Sequence, residues 1–193
     1  LDHPVHNLRF EGITFADASW LQPSRIGHVT IQANFTMDQR NLFFRVGAKG
    51  AQIDTGKPYL VHPFGEARKS PGAILLRAAE AVRFERCKFT RLGGAGIDVE
   101  HGSKSNTISG CELYEIAGSG IQVGDVNDHH PADPRAVVRG NRIANNSIHH
   151  VAVEYIGGVG VFVGYTDNTV IAHNEISHLP YTAISIGWGW GET

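Results

Sequence analysis

Cys87-Lys-Phe-Thr-Arg-Leu92, Cys111-Glu-Leu-Tyr-Glu-Ile116, Asn146-Ser-Ile-His-His-Val151 and Asn174-Glu-Ile-Ser-His-Leu179 share one pattern, at offsets of 24, 35 and 28 residues. Each opens on a small or amide side chain and carries apolar residues at its third and sixth positions. Each is followed by a second short apolar segment: Gly96-Ile-Asp-Val99, Gly120-Ile-Gln-Val123, Gly160-Val-Phe-Val163 and Ala183-Ile-Ser-Ile186. The gaps between the two segments are 9, 9, 14 and 9 residues. Upstream, Leu8-Arg-Phe-Glu-Gly-Ile-Thr-Phe15 matches Val82-Arg-Phe-Glu-Arg-Cys-Lys-Phe89 at an offset of 74. The unit is therefore about 24 residues long, with one insertion inside its third copy and another before it.

A repeat of that length, built from short alternating segments with glycine-rich corners, predicts an all-β fold of stacked parallel strands, a parallel β-helix. A leucine-rich repeat has a similar period but requires a regular leucine framework, which is absent. Alternation assigns Ile97/Val99, Ile121/Val123, Val161/Val163 and Ile184/Ile186 to the inside as aliphatic columns. Cys87 and Cys111 fall in one column and read as a buried thiol stack rather than a disulfide. Asn146 and Asn174 continue that column as an internal amide ladder. Residues 21–72 break the period and read as a long, partly stranded insertion of the kind that walls a groove, before the solenoid resumes at Ala73-Ile-Leu-Leu76. Residues 1–193 thus form a single domain, and patterned sequence at both ends reads as a piece of a longer helix.

The composition narrows the partners. With 41% hydrophobic residues the chain can bury one sizeable core. Charged residues make up 19% and the net charge is −2, so neither nucleic acid nor an anionic membrane surface is expected as a partner. No run of about 18 apolar residues spans a bilayer. No secretory leader is visible, and two cysteines are too few for a disulfide framework.

The candidate chemistry gathers at one corner. Asp98, Gln122, Phe162 and Ser185 form one outward column, and Glu100, Gly124, Gly164 and Gly187 the next. Beyond the strand ends, His101, Asp125, Tyr165 and Trp188 are expected side by side, with Asn127, Asp167 and Trp190 near one another. The three glycines read as a bare strip of backbone open to close approach. The insertions Asp125 to Ala136 and Ala152 to Gly158 are expected to emerge beside it. Aromatic faces for sugar rings with carboxylates for acid/base work point to carbohydrate as the substrate. Ordinary roles compete. Asp167-Asn168 has the form of a turn, and Asp98 and Glu100 that of solvated charges on an exposed strand. Asp125-Val-Asn-Asp128 reads as a loop cap or a weak structural calcium site. Neighbouring histidines on a strand point to opposite faces, so His129-His130 and His149-His150 give no metal site. Two tryptophans at exposed turns are costly without a ligand or a covering segment.

The segment from Asn145 to Gly191 carries a resemblance. Asn-Asn-Ser-Ile-His-His-Val, Glu154-Tyr-Ile-Gly-Gly-Val-Gly-Val-Phe-Val-Gly-Tyr165, His173-Asn-Glu-Ile and Tyr181-Thr-Ala-Ile-Ser-Ile-Gly-Trp-Gly-Trp-Gly191 resemble the right-handed parallel β-helix glycosidases, especially glycoside hydrolase family 141. The resemblance implies a secreted or periplasmic bacterial enzyme of plant-polysaccharide breakdown, acting on α-L-fucosides or xylan-type substrates through two acidic residues without a cofactor. Asp125 matches as one of them, with Asp167, Glu154 or Asp98 as the second, in that order. Tyr165, Trp188, Trp190 and His101 would bind the sugar. Two other functions stay open. A polysaccharide lyase on the same fold would need calcium-binding carboxylates and a basic residue at the cleft, for which Arg135 and Arg139 are the candidates. A non-catalytic adhesive solenoid would keep Trp188 and Trp190 without needing Asp125.

Overall fold

The computed structural model describes residues 1–23, 29–36, 43–44, 59–60, 68–128 and 130–187. Over these residues the chain winds through five coils, each laying one strand on each of three faces. The first face holds β2 (Arg9–Glu11), β10 (Arg83–Glu85), β13 (Thr107–Ser109), β16 (Arg142–Ala144) and β19 (Val170–Ala172). The second holds β3 (Thr14–Ala16), β11 (Lys88–Leu92), β14 (Glu112–Ile116), β17 (Ser147–Val151) and β20 (Glu175–Ser177). The third holds β8 (Gly72–Arg77), β12 (Ala95–Glu100), β15 (Ile121–Val123), β18 (Val161–Val163) and β21 (Ile184–Ile186). Every pairing within these faces is parallel. A fourth, thinner column pairs β1 (Val5–His6) with β9 (Ala79–Glu80) and continues as single bridges through Lys104, Arg139 and Asp167. Between β3 and β8 lie two small antiparallel pairs, β4 (Val29–Ile31) with β5 (Asn34–Thr36) and β6 (Phe43–Phe44) with β7 (Tyr59–Leu60).

Three register columns of left-handed residues turn the chain. Gly12, Arg86, Gly110, Asn145 and His173 separate the first face from the second, all at positive φ. Asn7, Ala81, Ser105, Gly140 and Asn168 do the same ahead of the first face, and Asp17, Arg91, Glu115, His150 and His178 at the end of the second. A single left-handed residue redirects a strand without a long loop. Hence Asn168, at φ 53°, is a turn residue, as the Asp167-Asn168 pair suggests.

The interior is a set of stacks. Phe10 lies over Phe84 at 4.9 Å and Phe15 over Phe89 at 5.0 Å, the rings nearly parallel. Ile97, Ile121 and Val161 continue one aliphatic column, fully buried. Ile184 and Ile186 occupy the inward register but are 38% and 73% exposed, because β21 is the edge strand of its sheet among the described residues. Cys87 and Cys111 are free and buried, and burial pushes the Cys111 thiol up to about 11.

Above the thiols the amide ladder forms. Asn146 Oδ1 accepts the Cys111 N–H at 2.9 Å, and its Nδ2 donates to Ile108 O at 3.0 Å and Asn174 Oδ1 at 2.9 Å. A second ladder runs ahead of the first face. Asn106 Oδ1 takes the Val82 N–H, and Asn141 Oδ1 takes both the N–H and the side-chain amide of Asn106. Its sequence signal was an asparagine directly before the strands Thr107–Ser109 and Arg142–Ala144.

Candidate active site

The outer surface of the third face carries the predicted columns in register: Leu75, Asp98, Gln122, Phe162 and Ser185, then Arg77, Glu100, Gly124, Gly164 and Gly187. The expectation of a solvated strand is corrected, because much of this surface is covered. Phe162 is fully buried with Ala33, Val126 and Val159, and the Ala33 N–H donates to Gly157 O at 2.8 Å. Gln122 is also fully buried. Its Nε2 donates to Ser70 O at 2.7 Å, while Oε1 meets no hydrogen-bond donor among the described residues.

Asp98 is not a solvated charge. Lys69 enters on the segment leading into β8, and its ammonium donates to Asp98 Oδ1 at 2.6 Å and to Glu100 Oε2 at 3.1 Å. The Lys69 and Asp98 side chains are each only 5% exposed. Arg77 reaches the other Glu100 oxygen at 3.3 Å. Gly72 lets the incoming chain lie this close, since a Cβ there would sit 2.7 Å from the Asp98 Cβ. Lys69 falls in the stretch that reads as irregular insertion, and only the β8–β12 pairing carries it to Asp98.

Asp125 joins the cluster from the loop after β15. It is half-buried, and its Oδ1 accepts the Val126 N–H at 2.6 Å, so the loop-cap role foreseen for it is present. Lys69, Asp98, Glu100, Asp125 and Asn127 line a single groove of about 340 Å³ together with Arg68, Pro71, Gly72 and Leu75. Lys69, Arg68 and Arg77 face Asp98, Glu100 and Asp125, so the formal charges balance, but only the Lys69–Asp98 pair is buried. Burial raises the Asp98 pKa, the charge and hydrogen bond of Lys69 oppose this, and Glu100 and Asp125 raise it further, so it is pushed up to about 7. Burial disfavours the Lys69 ammonium, but Asp98, Asp125 and Glu100 together outweigh it and its pKa is raised.

The other candidates are distributed differently. Asp167, Tyr165 and Asp128 line a separate groove of about 240 Å³ beside Thr166 and Val138. It adjoins the first across the backbone, where the Tyr165 N–H donates to Asp125 O at 3.1 Å. Gly124 and Gly164 are not a bare strip: a Cβ on Gly164 would lie 2.3 Å from Asp125 O, and one on Gly124 2.7 Å from Tyr165 O. The approach those glycines permit is that of the neighbouring coil. The loop of residues 152–158 emerges at the opposite corner, between the second and third faces. Glu154 sits there, its N–H on Ala117 O, beside Tyr155, whose ring meets Trp20 edge-on at 5.5 Å. Glu154 therefore shares neither groove. His101 turns the chain at the end of β12 at φ 39° and lines neither groove. Trp188 and Trp190 lie outside the described residues. Arg135 is paired with Asp2 and Asp133, and Arg139 belongs to the bridge column, so the basic residues at the groove are Lys69 and Arg68 instead.

His149 and His150 do not point to opposite faces. The left-handed backbone of His150 brings the two rings together, Nδ1 to Nδ1 at 3.0 Å, and His150 stacks on His178 at 4.6 Å. Among the described residues no group of three or more His, Cys, Asp or Glu side chains is arranged to hold a metal ion.

With this geometry in hand, comparison with known proteins decides the family. The model of the right-handed β-helix region matches residues 72–187. The chain belongs to the right-handed β-helix family. A solved structure named a glycoside hydrolase superposes on this β-helix over its whole length, with a TM-score of 0.79 and 33% sequence identity. The β-helix described here spans 33% of that protein's chain. No curated protein sequence matches it.

Proposed function

We propose that this β-helix is a glycoside hydrolase of the family 141 kind, acting on an α-L-fucoside or xylan-type polysaccharide, with Asp98 as proton donor and Asp125 as the second carboxylate. The observation that carries the proposal is one groove that Asp98, pushed up to about 7, lines together with Asp125. A general acid is most effective when its pKa lies near the working pH. In this reading the Asp98 proton passes to the glycosidic oxygen as the C–O bond breaks. Asp125 meets the developing positive charge at the anomeric carbon, directly or through a water. Asp167, lining the adjoining groove with Tyr165, would contact a neighbouring sugar. The name of the structural neighbour supports carbohydrate as the substrate. Export to the cell exterior or periplasm, and catalysis without a cofactor, go with the same reading.

The lyase alternative is weaker at this site. Its base would have to be Lys69 or Arg68. Lys69 is held as a cation by three carboxylates, and a guanidinium does not deprotonate in proteins. The test is hydrolysis of fucosides and xylans by the wild type and by Asp98→Asn and Asp125→Asn, with products scored for reducing ends and for unsaturated sugars. Loss of turnover in both variants with normal melting supports the proposal. Full activity in both variants, or unsaturated products, overturns it.

A further inference from the structure

Asp98 stands between two side chains that arrive from different parts of the fold. Lys69 comes from the segment ahead of β8. Gln122 is its register partner on β15, on the same face and about 5 Å away at the spacing of adjacent strands. The charged groups around Asp98 are Lys69, Glu100 on its own strand with Arg77 behind it, Asp125 from the loop after β15, and Arg68, which lines the same groove. On its other side β8 presents the uncharged Leu75.

A general acid exists in two forms during each turnover, neutral before it donates and ionised afterwards. The ionised carboxylate already has its partner in the Lys69 ammonium. The neutral form carries an O–H, which an ammonium cannot accept because it has donors only. Gln122 supplies the missing atom. Its amide nitrogen is committed to Ser70 O, which fixes the orientation of the group, and its Oε1 is a buried acceptor without a donor. Such an orphan is costly and calls for an explanation. Two independent oddities, a buried carboxyl tied to a buried ammonium and a buried amide oxygen lacking a donor among the described residues, thus occupy neighbouring strands of one sheet.

We propose that Lys69 and Gln122 are the positioning residues of Asp98, Lys69 holding its carboxylate and Gln122 accepting the O–H of its neutral form. The inference rests on the hydrolase reading above. Each protonation state then has one fixed partner, and the carboxyl exchanges one for the other without leaving the groove. During cleavage the Asp98 O–H bond breaks as the leaving oxygen gains the proton. The water that completes hydrolysis returns a proton to Asp98 and its hydroxyl to the sugar, so the enzyme is restored.

The experiment is a titration of the Asp98 carboxyl carbon by NMR in the wild type, Lys69→Met, Lys69→Arg and Gln122→Met, alongside the pH profile of kcat/KM. Removing the ammonium raises the Asp98 midpoint by about 1–3 pH units, the usual effect of losing an adjacent opposite charge. Lys69→Arg restores the wild-type midpoint, and Gln122→Met lowers it because the neutral form loses its acceptor. The alkaline limb of kcat/KM moves in the same directions while KM changes little. A merely structural role would not give shifts of opposite sign. Unmoved midpoints in the folded variants, or shifts of the same sign, overturn the inference. Should Lys69→Met fail to fold, Gln122→Met decides: a lowered midpoint supports the inference and an unmoved one overturns it. If the wild type cleaves no glycoside at any pH, the hydrolase reading fails by itself, and the NMR midpoints still decide the roles of Lys69 and Gln122.

Discussion

Two regions of this β-helix that bury polar side chains follow opposite rules. The asparagine ladders are neutral and repeat from coil to coil. Asn146 passes its hydrogen bonds to Asn174, and Asn106 to Asn141. Each amide uses its oxygen for the backbone N–H of one coil and its nitrogen for a carbonyl, so nothing is left unmatched. The cluster of Lys69, Asp98, Glu100 and Asp125 is charged and occurs once. In register with Asp98 stand Leu75, Gln122, Phe162 and Ser185, none of them ionisable. A polar feature that links one coil to the next is supplied by the stacking itself. One that occurs once among the described residues is not supplied by the stacking, and it is where the proposed chemistry would sit.

If that contrast is right, substitutions in the two regions separate turnover from stability. The largest effect falls on the charged cluster: Asp125→Asn lowers kcat by roughly 10²–10⁴-fold, the usual yield of acid/base groups, with a melting temperature near wild type. A full loss of folding in that variant would move Asp125 to the structural class. The ladder behaves in the reverse sense. Asn146→Leu orphans the Cys111 N–H and takes a donor from the Ile108 carbonyl and costs about 2–6 kcal/mol of stability in denaturant unfolding, at about 1–3 kcal/mol for each buried group that loses its partner. A cost near zero would show that the ladder only fills space.

The apolar column gives an intermediate effect. Val161→Ala opens a cavity between Ile121 and Ile184 and costs about 1–3 kcal/mol. Ile186→Ala, in the same sheet but largely exposed, stays within about 0.5 kcal/mol. Equal costs would contradict the register. The subtlest difference is in pH. The Asp98 pKa is raised from 3.8 to about 7, so between those values the folded protein binds a proton that the unfolded chain does not. Stability from this group therefore falls as pH rises from about 4 to about 7. Asp98→Asn flattens that part of the stability–pH curve, whereas Asn174→Ala shifts the curve without changing its slope. An unchanged slope in Asp98→Asn would remove Asp98 from the titrating cluster.

The stacking of the coils was legible in the sequence because a solenoid repeats its own environment. Offsets between Cys87, Cys111, Asn146 and Asn174 are enough to align the strands, and alternation then assigns Ile97, Ile121 and Val161 to the interior. The corners were partly legible: Asn168 fits a turn by composition, but the left-handed His150 carries no such mark, so the contact between His149 and His150 was not foreseen. Glu154 and Asp125 both follow strands, yet at different corners, and spacing along the chain does not distinguish the two.

What sequence alone determined is the repeating part of the molecule: its coil length, its inward columns and one amide ladder. The tertiary structure alone decided the part that does not repeat. Lys69 lies 29 residues from Asp98 and Ser70 52 residues from Gln122, and neither contact obeys the coil period. Only the return of the chain at Gly72, closing β8 against β12, brings one ammonium among three carboxylates. Periodicity reports interactions that every coil makes, whereas the charge state of a buried carboxyl depends on the particular groups that long-range pairing carries to it.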